Sequence, residues 1–142
     1  KYIEAKTDEI MKEMSQLLQR RDMLSETREE LRLKLEDLKN NLISIKQNPA
    51  YRHIEQKIAR AQRELDIARQ EFQANPSNRR LEQDVEFYES SVADYKKEQE
   101  RMVEMLNQEI TQVTQEIERI FQEIEQITDK VTELSDQLEK LN

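Results

Sequence analysis

The stretch IEAKTDEIMKEMSQLLQRRDMLSETREELRLKLEDLKNNLISI, residues 3–45, decides the fold. Steps of seven residues from Ile3 reach an aliphatic side chain every time, as far as Ile45. A second row, offset by four residues, mixes apolar side chains with Thr7, Arg21 and Arg28. A heptad repeat sustained over six heptads is typical of a coiled-coil helix. The stretch therefore predicts a long helix whose apolar stripe packs on another helix.

The composition of the whole chain agrees with this prediction. Of the 142 residues, 35% are hydrophobic and 38% are charged, and there is no glycine. An ordinary globular domain is about half apolar and uses about 7% glycine. Without glycine, the left-handed turn positions of hairpins and compact loops are hard to form, so a β-sheet protein is disfavoured. We predict an all-α protein, a long coiled coil.

Two prolines interrupt the heptads. Proline lacks an amide hydrogen and clashes with the preceding turn, so a helix ends or kinks there. Asn48 is predicted to cap a new helix that has Pro49 as its first residue, and Asn75 and Pro76 repeat the arrangement 27 residues later, where Ser77 and Asn78 offer further caps. The shared N-P-x-x-R motif indicates a helix start used twice. A tetratricopeptide-type repeat is disfavoured because its period is about 34 residues.

These breaks divide the chain into three predicted segments. They are heptad helix one over 1–48, heptad helix two over 49–74 and a long heptad helix three over 76–142. In the third, two consecutive spacings of four near 106–110 indicate a stutter, a local unwinding of the supercoil. We expect one elongated coiled-coil domain. Because the heptads are already in register at Ile3, we expect a segment of a longer protein.

The predicted seam is the set of apolar side chains at the packed heptad positions. In segment one it comprises Ile3, Ile10, Met14, Leu17, Leu24, Leu31, Leu35, Leu38, Leu42 and Ile45. In segment two it comprises Ile54, Ile58, Leu65 and Phe72. In segment three it comprises Leu81, Val85, Tyr88, Val92, Tyr95, Ile110, Val113, Ile117, Ile120, Ile124, Ile127, Val131, Leu134, Leu138 and Leu141. Polar residues at seam positions, Arg21, Arg28 and Gln99, are expected to set the register or the partner.

A reversal at Pro76 would let the chain pack on itself. It gives arms of 74 and 66 residues that nearly match. An antiparallel register then pairs Leu65 with Tyr88 and Ala61 with Val92, so that small and large side chains alternate. Residues 1–75 have net charge +1 and residues 76–142 have −9, which also favours pairing the arms with each other. We therefore predict an antiparallel helical hairpin with a break near residue 49 and a turn near residue 76.

Two other folds use the same segments. If both prolines reverse the chain, three helices form a Z, and segment two then needs two apolar faces. If neither does, a straight rod dimerises. A parallel pair of segment one is disfavoured because its flanking positions offer no attractive pair, and they set Lys34 against Lys39. Met11, Leu18 and Phe121 widen the stripe, as expected where a third or fourth helix packs.

Residues that could carry chemistry are few. His53 is the only histidine and there is no cysteine, so no zinc site is expected. Calcium loops, phosphate loops and nucleophile motifs need glycines that the chain lacks. We expect no enzyme activity, no cofactor and no metal. The net charge of −8 disfavours nucleic-acid binding, and no apolar run is long enough for membrane insertion.

Aromatic side chains concentrate around the two breaks. Five of the seven lie between residues 51 and 95. They are expected to fill uneven gaps at the break and the turn. The alternative is a docking head, in which Phe87 lies off the seam and contacts a partner.

The heptads resemble those of long coiled-coil rods in cytoskeletal, kinetochore, tethering and SMC-type proteins. The resemblance implies a rigid spacer or scaffold for protein–protein assembly, in a cytoplasmic or cytoskeletal, intracellular setting. Its partners would be other protein chains, including a second copy. An alternative is the arm or stalk of a larger motor or SMC-type ATPase, with residue 49 and the stutter as pliable points. A second alternative is the coiled-coil domain of a secreted bacterial translocator.

Overall fold

The computed structural model describes all 142 residues and is 94% helical, with no strand. Helix α1 spans Tyr2–Ile43, a 3₁₀ turn spans Ile45–Gln47, α2 spans Pro49–Ala74 and α3 spans Arg79–Leu141. The predicted all-α class is confirmed, and the chain forms a helical hairpin. The chain divides into two compact units. The first contains residues 1–37 and 110–142, and the second contains residues 38–109.

In the first unit, α1 and α3 run antiparallel. The Arg20 guanidinium pairs with the Glu123 carboxylate, while Met11, which comes earlier in α1, lines a cleft with Leu138, which comes later in α3. Apolar rows of both helices are buried between them. The buried side chains are Ile10, Val113, Ile120, Ile127 and Leu134.

In the second unit, α2 and the first part of α3 form a hairpin closed by residues 75–78. Ala61, Leu65 and Val92 form a buried cluster, and Val85, Tyr88 and Tyr95 pack against it. They include all four residues that the predicted antiparallel register pairs, Leu65 with Tyr88 and Ala61 with Val92. On the surface of this hairpin, Arg69 pairs with Glu89 at 3.3 Å, and the Lys57 ammonium lies 5.6 Å from the centre of the Tyr95 ring.

The break before Pro49 begins earlier than predicted. Helix α1 ends at Ile43 rather than continuing to residue 48, and a 3₁₀ turn follows. The reason is that the proline ring excludes a helical carbonyl four residues back, and Asn48 before it adopts extended backbone, with φ −67° and ψ 128°. The Asn48 side chain then accepts hydrogen bonds from the amides of Ala50 and Tyr51, so it caps α2 as predicted.

The break does not reverse the chain. Ile45, before Pro49, lines a cleft with Leu106 of α3, and Tyr51, after it, lines another cleft with Val103. Both sides of the break therefore follow the same helix. This arrangement excludes the Z of three helices, and the hairpin excludes the straight rod.

The second N-P-x-x-R motif forms a turn rather than a helix start. Asn75 ends α2, and its amide donates to the carbonyls of Glu71 and Phe72. Helix α3 starts at Arg79 rather than at residue 76, and the Asn78 side chain accepts from the Arg80 amide. The prediction that Asn75 caps the third helix and that Pro76 begins it is therefore wrong, whereas the alternative cap Asn78 is the one that the structure uses. The physical reason is that the chain reverses direction here. The residues from Asn75 to Asn78 form this turn, so α3 can begin only after them.

Candidate interaction surfaces

The predicted seam residues lie almost entirely between the paired helices. Those that are buried are Ile10, Leu38, Ile54, Leu65, Val92, Val113, Ile120, Ile127 and Leu134. Those that are half-buried are Met14, Leu17, Leu24, Leu31, Leu35, Leu42, Ile45, Ile58, Phe72, Leu81, Val85, Tyr88, Tyr95, Ile110, Ile117, Ile124, Val131, Leu138 and Leu141. Ile3 differs from the prediction because it lies in the first turn of α1 and is 54% exposed. No side chain in the chain is completely buried. Two helices alone cover only part of each apolar stripe.

The three polar seam residues are half-buried and lie in different surroundings. In the first unit, Arg21 Nη1 is 3.5 Å from Thr128 Oγ1. Arg28, one heptad later, has its Nε buried with no hydrogen-bond acceptor. A buried donor without a partner costs about 1–3 kcal/mol. In the second unit, Gln99 lines a small cleft with Tyr51 and Val103.

Phe87 lies on the outside of α3 in the second unit. Its side chain is 65% exposed, and its ring makes an edge-to-face contact with Tyr88, with 5.3 Å between ring centres. Ile67, on the outside of α2, is 50% exposed. These residues are available to a partner, as the docking hypothesis for Phe87 requires.

A cleft of about 510 Å³ lies beside the break in the second unit. It opens where the 3₁₀ turn leaves α3 without a full helical neighbour. Its lining is mixed, with Ile45, Met102, Met105 and Leu106 on the apolar side and Asn41, Ser44, Gln47, Asn48 and Glu109 on the polar side. Met105 is one of the most exposed large apolar side chains of the unit, at 60%.

One side of the first unit carries little charge along the edges of its seam. In α1 the row on this side begins with Glu4 and ends with Arg32, and the residues between them are uncharged. We call this uncharged part, together with the facing row of α3, the uncharged flank, and its residues directly follow the seam rows of α1 and α3. They are Met11, Leu18, Ser25, Thr114, Phe121, Thr128 and Ser135. Leu18 and Ser25 are half-buried, and the other five are exposed. Coiled coils usually place charged residues at such positions, so their absence here is informative.

The opposite flank of the first unit is charged. Arg20 and Glu123 pair there across the two helices, and Glu116 and Lys130 lie in the same row of α3 as Glu123. The flanking pairs predicted for parallel helices do not include Arg20 with Glu123. In the antiparallel register, Arg20 (before Arg21) and Glu123 (before Ile124) lie on the same side of the seam, so the heptads read in that register predict this pair.

The uncharged flank is bordered by charges that have no partner within the chain. Arg21 and Arg28 project from the seam and form no ion pair. Glu118 and Glu125 lie at the outer edge of the flank, are exposed and likewise form no ion pair. The flank therefore combines an apolar strip, unpaired cations and unpaired anions on one face.

No part of the chain groups three or more histidine, cysteine, aspartate or glutamate side chains in a way that could hold a metal ion. His53 is exposed in the first turns of α2. None of the helices combines the length and the apolar content that crossing a membrane requires.

Comparison with known proteins found no matching family model, no matching curated protein and no matching solved structure.

Proposed function

We propose that this chain is a non-enzymatic structural and interaction module. It acts as a rigid coiled-coil spacer or scaffold that holds other protein chains at a set distance. The observation that carries the proposal is that both units pack their heptad rows within the chain and leave outer faces exposed. The seam supplies stiffness, because interdigitated side chains resist sliding. The outer faces supply the contacts with other chains.

The resemblance of the heptads to cytoskeletal, kinetochore and tethering rods supports the same proposal. It also supports a cytoplasmic or cytoskeletal setting. The partners that fit are proteins with amphipathic helices, because the exposed apolar residues of both units lie along helix faces.

A lever within a larger motor or SMC-type ATPase is a second candidate, and one observation favours it. The boundary between the two compact units falls in α3 between Glu109 and Ile110, at the predicted stutter. A stutter unwinds the supercoil locally. In a lever this point would let the helices change register and transmit a signal.

Distance distributions between spin labels distinguish the two candidates. Cysteines replacing exposed Glu30 and Glu64 place one label in each unit, and the chain has no native cysteine. A matched control pair at Glu64 and Lys96 lies within the second unit. For a spacer, we expect a single cross-unit distribution as narrow as that of the control. Two populations, or a distribution much broader than the control, would reject the spacer and support the lever.

A further inference from the structure

We propose that the uncharged flank of the first unit is a self-association surface. Two copies of the chain pack flank to flank in a two-fold dimer, with α1 of one copy over α3 of the other. Arg21 and Arg28 of each copy face Glu118 and Glu125 of its partner. The inference is independent of the spacer proposal, because it concerns the first unit alone and holds whatever the assembled chain does.

The uncharged flank exposes apolar side chains. Met11 is 57% exposed and Phe121 is 42% exposed, and between them lie half-buried Leu18 and small hydroxyl side chains. Such a strip widens the apolar stripe of each helix beyond what one partner helix can cover. The charged flank on the other side shows the usual solvated edge of the same hairpin. Of the two sides of the hairpin, the uncharged flank is therefore the one on which a further helix can pack.

Arg21 and Arg28 lie at the uncharged flank. The contact of Arg21 with Thr128 places its guanidinium on the uncharged flank. Arg28 follows Arg21 by one heptad, and Phe121 precedes Thr128 by one heptad, so the antiparallel repeat places Arg28 beside Phe121. Neither arginine has a carboxylate partner in its own chain. In a seam, two such cations favour an acidic partner surface.

A second copy of the chain supplies the acidic surface that the two arginines favour. Glu125 lies between Phe121 and Thr128 in α3, and Glu118 lies one turn before Phe121. Each of these carboxylates thus lies within about one helical turn of the level of an arginine along the hairpin. A two-fold axis along the hairpin sets α1 over the α3 of the other copy, and an isologous contact then makes each arginine–carboxylate pairing twice. Both halves of the pairing are present on one face.

The size of the flank is adequate for a specific contact. It spans 22 residues of α3, from Thr114 to Ser135, or about 30 Å along the helix axis. Two helices side by side are about 20 Å wide. The face therefore offers roughly 600 Å² per chain, close to the ~800 Å² that each partner contributes to a standard interface.

Charge-reversed variants test the proposal by sedimentation equilibrium. Variant A is R21E/R28E and variant B is E118R/E125R. The wild-type chain is expected to sediment as a dimer, at twice its 17.1 kDa. Each variant alone sets like charges against each other and should weaken the dimer, on the order of tenfold or more in dissociation constant. An equimolar mixture of A and B should restore the dimer as a heterodimer, because both of its contacts again pair opposite charges.

Matched controls carry the same charge changes away from the flank. They are K12E/K34E for variant A and D129R/D136R for variant B, all at exposed positions of the first unit. Both controls should remain dimers. A wild-type chain that stays monomeric at high concentration overturns the proposal, as does a dimer that A and B leave unchanged. A mixture that stays monomeric overturns the arginine–carboxylate pairing. If variant A does not fold by circular dichroism, variant B against D129R/D136R decides, because Glu118 and Glu125 are exposed.

Discussion

At the scale of the residue, Arg28 occupies a position where the heptad places a packed apolar side chain. Its Nε is shielded from water and finds no acceptor in the chain. Within a single copy this arrangement is unfavourable, because the buried donor loses its hydration without gaining a hydrogen bond. The stability of the isolated hairpin therefore gives no reason for an arginine at this position. The proposed dimer does, because its second copy supplies carboxylates close to Arg28.

Replacing Arg28 by leucine should therefore stabilise the monomer. We expect Arg28→Leu to raise the free energy of unfolding by about 1 kcal/mol, measured by urea denaturation at a concentration where the chain is monomeric. The control is Lys34→Leu at an exposed position of α1, which should have little effect. A clear loss of stability in Arg28→Leu would show that the arginine already has a partner within the chain.

Two aliphatic residues of α2 that are only two positions apart differ in burial. Leu65 is 3% exposed in the buried cluster, whereas Ile67 is half exposed on the outside. Leu65→Ala should lower the free energy of unfolding by about 2–4 kcal/mol, because it removes packed methyl groups and leaves a cavity. Ile67→Ala should change it by less than about 0.5 kcal/mol. Thermal melts of the two variants give the comparison, and equal effects would contradict the seam assignment in the second unit.

At the scale of the element, the two N-P-x-x-R motifs show how far local sequence determines structure. Asn48 and Asn75 are both followed by a proline and, four residues on, by an arginine, yet Asn48 caps a helix start and Asn75 ends a helix. Arg52 donates from Nε to the Lys46 carbonyl, which ties the first motif to the turn before it. In the second motif the Ser77 hydroxyl donates to the Asn75 side chain, within the reversal. The motif predicts an interruption, and the packing of the flanking helices decides which kind.

Cap substitutions distinguish the two roles. Asn78→Ala removes the side-chain acceptor of the Arg80 amide at the start of α3 and should cost about 1 kcal/mol of unfolding free energy. Asn75→Ala removes an acceptor only for the Ser77 hydroxyl and should cost less than half as much. Both are measured by urea denaturation. If Asn75→Ala proves the more harmful of the two, then Asn75 and not Asn78 caps α3.

The helices themselves were largely predictable, and the reason is periodicity. Heptads identify which side chains meet, and the two prolines identify where helices cannot continue. The end of α1 at Ile43 was not predicted, because the effect of Pro49 reaches back through a 3₁₀ turn whose extent depends on hydrogen bonds such as Ser44 to the Asn40 carbonyl. The uncharged flank was foreseen only in part, from Met11, Leu18 and Phe121. Its rim of Glu118 and Glu125 needed the antiparallel register of the first unit.

At the scale of the whole molecule, apolar rows rather than charges hold the hairpin together. The arms differ strongly in net charge, but only Arg20 with Glu123 and Arg69 with Glu89 pair across helices, both at the surface. An exposed ion pair contributes only about 0.2–1 kcal/mol. The charge asymmetry thus allows the two arms to lie side by side without repulsion, and the packing of the apolar seam supplies most of the stabilisation. The division into two units was not predicted, although its boundary in α3 falls at the predicted stutter.

The reversal of the chain can be fixed by a disulfide within one molecule. Ala68 is buried in α2 about one turn after Leu65, and Val85 of α3 packs against the cluster that contains Leu65. The predicted antiparallel register, which pairs Leu65 with Tyr88, sets Ala68 opposite Val85. Cysteines at both positions should therefore approach the ~4 Å between Cβ atoms that a disulfide requires. Along one uninterrupted helix these positions would be about 25 Å apart. We expect the A68C/V85C variant to oxidise within the chain at low concentration, seen as a faster-migrating monomer in non-reducing electrophoresis and as a linked peptide by mass spectrometry. The control I67C/F87C joins two exposed positions of the same two helices and should stay reduced within the chain, because these side chains lie on outer faces. Equal intrachain crosslinking of both variants, or crosslinked dimers alone from A68C/V85C, would contradict the packing of Ala68 on Val85.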